Sequence, residues 1–244
     1  MYKRLFTFGC SYTEYIWPTW ADIIADDLEI HYENWGQSGA GNVNIACRLL
    51  ECDLKNTFCD TDLILINWSS FMREDRFIGK NWRCAGNIFN NPYYDNRFIN
   101  KYWNAENDII KNCTAIISSN RMFNINYQSH MIDYEEVSGL ENIIYDFSNY
   151  KYYLNNLPKK NLFDNSKNTQ FGHRIFDIHP DILTHLNHVY TIYEDLNIKI
   201  QTKTIERYTD MQNKIIINLD KKNNIKKVNK SFKYSKSFFR GFNI

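Results

Sequence analysis

Glycine and proline are scarce in this chain, nine and four among 244 residues. That scarcity excludes collagen-like and glycine- or proline-rich disordered architectures, whose backbones depend on those residues. Cysteine occurs six times but never as C-x-x-C. Cys10, Cys47, Cys52, Cys59, Cys84 and Cys113 therefore do not spell a zinc ribbon or a thioredoxin-like motif, and they read as reduced, mostly buried thiols. No apolar run approaches the roughly 20 residues that span a bilayer, and MYKRLFTFGCSYTEY lacks the h-region and cleavage site of a secretory signal. The expected location is the cytoplasm of a cell or infected host, with virion association as the alternative, and no membrane partner. Internal repeats and flexible interdomain linkers are absent as well.

Net charge is also nearly absent, at +1, but the balance is uneven. Residues 1–211 carry 20 Lys and Arg against 27 Asp and Glu, whereas residues 212–244 carry 9 against 1. The basic end, KIIINLDKKNNIKKVNKSFKYSKSFFRGFNI, opens on a predicted strand over 214–219 and then interleaves lysines with aromatics. Such interleaving suits a nucleic-acid backbone with stacked bases. No nucleic-acid motif accompanies it, so docking on an acidic partner or on the chain's own acidic part is expected instead. Heavy use of Asn, Ile, Lys and Tyr suggests an AT-rich genome, viral or from a low-GC bacterium.

The chain is long enough for one sizeable α/β domain. LFTF, residues 5–8, reads as a buried strand ending at Gly9 and the turn that carries Ser11. An amphipathic helix over 17–28, a strand over 29–35, the glycine-rich GQSGAGN, a helix over 43–54 and the buried strand TDLILINW follow. That is the rhythm of a parallel sheet wound with helices. Residues 69–107 are aromatic and polar with weak periodicity and read as a long loop of the kind that forms substrate walls. A helix is predicted over 107–125, a helix and a strand within 133–153, and a further helix after Pro180 with Ile182, Leu186, Val189 and Tyr193 on its apolar face. A serine just past the first strand lies where α/β folds collect ligands. By itself it is either a nucleophile or a turn cap.

Three turn segments, GCSYT, NWGQSGAGN and DIHP, together resemble the SGNH (GDSL-type) hydrolase superfamily, over roughly residues 1–75 and 170–197. The GCSxT and DxHP forms are associated with a branch frequent in phage and bacterial genomes. The resemblance implies a flavodoxin-like three-layer α/β/α sandwich with a parallel sheet, over residues 1–211, with an aromatic and polar insertion at about 70–106 and a basic extension over 212–244. It implies Ser11 as nucleophile, His179 as general base and Asp177 as the residue orienting it. Ser11 and Gly39 would offer backbone N–H groups to an oxyanion. The family's third block carries an asparagine that this chain lacks; Ser69 is at its position, Asn67 lies two residues earlier and Asn42 lies across the site. Spacing does not choose among them.

The chemistry fits those residue types. A serine hydroxyl needs an imidazole to take its proton, the imidazole needs a carboxylate to fix its tautomer, and the developing oxyanion needs preorganised donors. The implied reaction is hydrolysis of a small O-acyl ester, such as an O-acetyl glycan, through an acyl-serine, with no metal or organic cofactor. Two other readings remain: a catalytically silent SGNH-like structural or binding module, for instance in a viral particle, and a nucleic-acid-binding protein acting through its tail. Arg73 and Arg76 read either as substrate-binding cations or as ion-pair partners of Glu74 and Asp75. His185 and His188, one turn apart, read as residues of a helix surface and not as a metal site. His130 and His173 are placed in loops. Trp82, Tyr93, Tyr94, Tyr102 and Trp103 read either as core or as a sugar-stacking wall.

Overall fold

The computed structural model describes residues 2–15, 17–90, 94–131 and 179–221. A four-stranded parallel sheet forms its centre: β1 (Arg4–Phe8), β2 (His31–Asn34), β3 (Asp62–Trp68) and, in chain order after the elements named below, β6 (Tyr127–His130). The spatial order is β2-β1-β3-β6, with Leu5 opposite Tyr32 and Leu63, and Asn67 opposite Ser129. The strand order reverses between β1 and β3. In open parallel sheets the crevice beyond the carboxyl ends of two such strands is where ligands bind.

Every residue of β3 is buried, as expected of a strand covered on both faces. One layer is α1 (Trp20–Leu28), α5 (Ile182–Leu196) and α6 (Thr202–Lys221). It packs on Leu5, Leu63, Leu65 and Tyr127 through Ile23, Ile24, Leu186, Val189 and Ile192. The other layer is α2 (Asn42–Asn56) and α4 (Ala105–Met122). It covers Phe6, Phe8, Ile64, Ile66 and Trp68 with Ile45, Leu49, Ile109, Cys113 and Ile116. The two-residue period of the strands assigns alternate side chains to the two layers. The architecture is the expected α/β sandwich with a parallel sheet.

Several expectations are corrected. The stretch read as a loop over 69–107 holds an antiparallel hairpin, β4 (Arg73–Ile78) and β5 (Asn81–Asn87), and the helix α3 (Asn96–Tyr102). The predicted strand over 214–219 lies in α6. Upstream, Ile205, Tyr208 and Met211 follow a helical period against the core, and the isoleucine run continues the same helix. His185 and His188 are not surface residues; they are 1% and 6% exposed, and His188 meets Ser129 and Tyr127 of β6. His130 ends β6 and is buried, outside any loop. The six cysteines are unpaired, with Cys47 and Cys59 exposed. The helix and strand expected within 133–153, Tyr93, His173 and the segment 222–244 lie outside the described residues. Among the described residues no helix is long and apolar enough to cross a membrane.

Candidate active site

β1 delivers the chain to a turn that only glycine permits. A side chain on Gly9 would collide with Thr13 Oγ1 and would approach the Asn67 carbonyl to 2.9 Å. Past it, the Cys10 carbonyl accepts from Thr13 N at 2.9 Å and Glu14 N at 3.1 Å, closing one turn around Ser11. That leaves the Ser11 N–H without a partner among the described residues. The hydroxyl is 4% exposed with its residue, and its Oγ lies 2.8 Å from His179 Nε2, across 168 residues of sequence.

His179 is held by rings. Tyr15 stacks on the imidazole at 3.9 Å between centroids and 22°, and Tyr12 meets it edge-on at 5.4 Å. Trp17 packs edge-on against Tyr15 and donates its indole N–H to the Pro180 carbonyl at 2.9 Å. Directly after it, α5 is capped by Asp181, whose Oδ1 accepts from Thr184 N at 2.8 Å. Gln212 of α6 donates to the other Asp181 oxygen at 2.9 Å and accepts from Ile182 N. Trp17 therefore fastens the segment after the serine turn to the residue beside His179, and Gln212 fastens the start of α5 to α6. Tyr12, Tyr15, Trp17 and Gln212 were missing from the sequence reading. The tyrosines flanking Ser11 were the available signal.

Gly39 has φ +80°, and the room a Cβ would need is occupied by the Cys84 carbonyl, 2.5 Å from that position. Its N–H has no partner among the described residues. Asn42, at the start of α2, spends its amide on Ser69: Ser69 N donates to Oδ1 at 2.7 Å and Nδ2 donates to the Ser69 carbonyl at 2.9 Å. Ser69 Oγ is buried without a partner among the described residues. Asn67 is also fully buried, with neither amide atom partnered among them. By strand alternation it faces the α1/α5 layer with Leu63 and Leu65.

Arg73 reaches the Ala40 carbonyl at 3.4 Å. Arg76 pairs with Glu74 at 2.9 Å, the ion-pair alternative, and its guanidinium lies over Phe98 and Tyr94. Of the proposed wall, Trp82 stacks edge-on with Phe77, Trp103 with Phe89, and Tyr102 is exposed. Asp177 lies outside the described residues. Among those described, no cluster of three or more His, Cys, Asp or Glu could hold a metal ion.

Burial sets the protonation of the histidines behind the site. His185 is pushed down to about 3 by loss of solvation and then by His188 and His179, and His188 to about 3 by burial alone. Both are neutral imidazoles near pH 7.

The chain matches no protein-family model and no curated protein. Among solved structures it is similar to an acetyl xylan esterase, Est2A, from the rumen bacterium Butyrivibrio proteoclasticus, at 17% identity and a TM-score of 0.40. That match covers 80% of this chain and 64% of the other.

Proposed function

We propose that this chain is an SGNH-type serine esterase that hydrolyses a small O-acyl ester. The observation that carries the reading is the 2.8 Å contact between Ser11 Oγ and His179 Nε2 beyond the carboxyl end of β1, beside the crevice where the strand order reverses. Nucleophile and base within that reach are the signature of an activated hydroxyl.

In the proposed reaction Oγ forms a bond to the acyl carbon while its proton passes to Nε2, and the carbonyl π pair moves onto oxygen. The Ser11 and Gly39 N–H groups, both without partners among the described residues, receive that charge. Ser69 Oγ, on a main chain pinned by Asn42, is the side-chain donor in the place where the family has asparagine. Collapse breaks the bond to the alcohol, which leaves with the proton from Nε2. Water then repeats the sequence on the acyl-serine and restores Ser11. Asp177 orients His179, while Tyr15 fixes the plane of its ring. The favoured substrates are O-acetylated glycans.

A fluorophosphonate probe, with Ser11→Ala and His179→Ala as controls, tests this. Labelling of the wild type and its loss in both variants is expected, together with a fall of about 10³-fold or more in p-nitrophenyl acetate hydrolysis. A folded wild type that neither labels nor hydrolyses overturns the esterase and supports the silent module. A panel of acetylated sugars then resolves the acceptor.

A further inference from the structure

The β4–β5 hairpin grips the turn that carries Gly39 at three consecutive residues. Gly86 N donates to the Gly39 carbonyl at 3.0 Å, Arg73 to the Ala40 carbonyl at 3.4 Å, and Gly41 N donates to Asp75 Oδ1 at 2.8 Å. The other Asp75 oxygen accepts from Asn44 N at 3.0 Å. One carboxylate, 34 residues downstream of Gly41, thus caps the first turn of α2, whose own N-cap residue, Gly41, has no side chain to do so. Negative charge at that end also opposes the helix dipole favourably. Burial pushes the Asp75 carboxyl up, against the two N–H groups that favour its charged form.

The grip leaves one donor over. Ala40 N is spent on the Gln37 carbonyl and Gly41 N on Asp75, so of these three consecutive N–H groups only that of Gly39 is left unspent among the described residues. The Cys84 carbonyl fills the space where a Cβ on Gly39 would stand and so fixes the peptide's height above the hairpin. Asp75 and Cys84 are directly paired across the hairpin, so a single rung supplies both contacts.

We infer that the hairpin is a clamp that sets the direction of the Gly39 N–H, with Asp75 as a positioning residue for oxyanion stabilisation. The inference rests on the esterase reading above. An oxyanion donor acts only within a few tenths of an ångström of the position the charged oxygen takes, and losing one costs about 10²–10³ in rate. Releasing the clamp costs part of that, because Gly39 stays in the chain but no longer points.

The test is Asp75→Ala and the milder Asp75→Asn, assayed on p-nitrophenyl acetate with active sites counted by fluorophosphonate titration. Per titrated site, kcat is expected to fall by about 10–10²-fold in Asp75→Ala and less in Asp75→Asn, with KM within about twofold. Inhibition by an arylboronic acid, whose tetrahedral adduct on Ser11 places an oxygen at the oxyanion position, weakens by the same factor. The pH–rate midpoint of the imidazole does not move. A structural role alone would lower the titratable fraction or the melting temperature and leave kcat per site and boronate inhibition at wild-type values. That result in either variant overturns the clamp. If the wild type itself neither labels nor hydrolyses, the esterase reading fails first.

Discussion

The two faces of the sheet carry different chemistry at the same end. Toward α2 and α4, the strands present Phe6, Phe8, Ile64, Ile66 and Trp68, apolar to their last residue. Toward α1 and α5 they begin equally apolar, with Leu5, Leu63, Leu65 and Tyr127. Two residues further along, the same face turns polar with Thr7, Asn67 and Ser129, all at most 1% exposed. Opposite them lies His188, 3.4 Å from Ser129 Oγ, with the buried His185 one turn away on α5. Thr7 Oγ1, both Asn67 amide atoms, Trp20 Nε1 and His185 Nε2 have no partner among the described residues. A buried group left in that state costs about 1–3 kcal/mol. One face is therefore built for stability throughout. The other, among the described residues, leaves polar groups unpartnered at the end where Ser11 and His179 meet, the kind of local inconsistency that functional sites carry.

Among single substitutions, breaking the apolar face has the largest expected effect. Phe8→Ala removes a fully buried ring and is expected to cost about 3–5 kcal/mol in urea unfolding. Acid is expected to attack the polar face next. His185 and His188 titrate near 6.5 when unfolded but at about 3 when folded, so below 6.5 the unfolded state binds more protons. Stability is complete above pH 6.5 and falls toward pH 3, by roughly 1–2 kcal/mol per pH unit for each histidine. Denaturant midpoints between pH 7 and pH 4 measure that slope, and a single His188→Phe substitution is expected to reduce it by about half. The smallest effect belongs to Asn67→Leu, which exchanges an unpartnered amide for an apolar side chain of similar size. Stability is expected to stay level or rise by about 1 kcal/mol, and a large loss in the same unfolding assay would show that the polar end of this face is fully satisfied.

The sheet and its first helices were legible because period and burial agree there. LFTF and TDLILINW can bury themselves on both sides only between two layers of helix, and GCSYT and NWGQSGAGN mark the turns between. The hairpin was missed for a physical reason. Its strands, REDRFI and NWRCAGN, hide no apolar face, since the half-buried Asp75 carboxylate and backbone contacts fasten them to the domain. The glycine at its tip, Gly79 with φ +74°, was the remaining turn signal. His185 and His188 were read outward because of their polarity, although their spacing from Ile182 and Val189 places them beside the helix's apolar stripe. Of the candidate site, Ser11 and His179 were visible as motifs. The roles of Tyr15, Asp75 and Gln212 were not, because each acts through a partner distant in sequence.

The contact between Ser11 and His179 joins residues 168 positions apart, and this has a consequence during synthesis. At about 5–20 residues per second, the serine leaves the ribosome roughly 10–30 s before the imidazole that would activate it. Through that interval β1, β2 and β3 can already pair, and the proposed nucleophile is present in a nearly formed sheet, yet its hydroxyl has no base to surrender a proton to. On the proposed esterase reading, reactivity then appears in a single event, when α5 docks on α1 and brings His179 with it. Chains that stop short of that docking carry the serine as an inert alcohol.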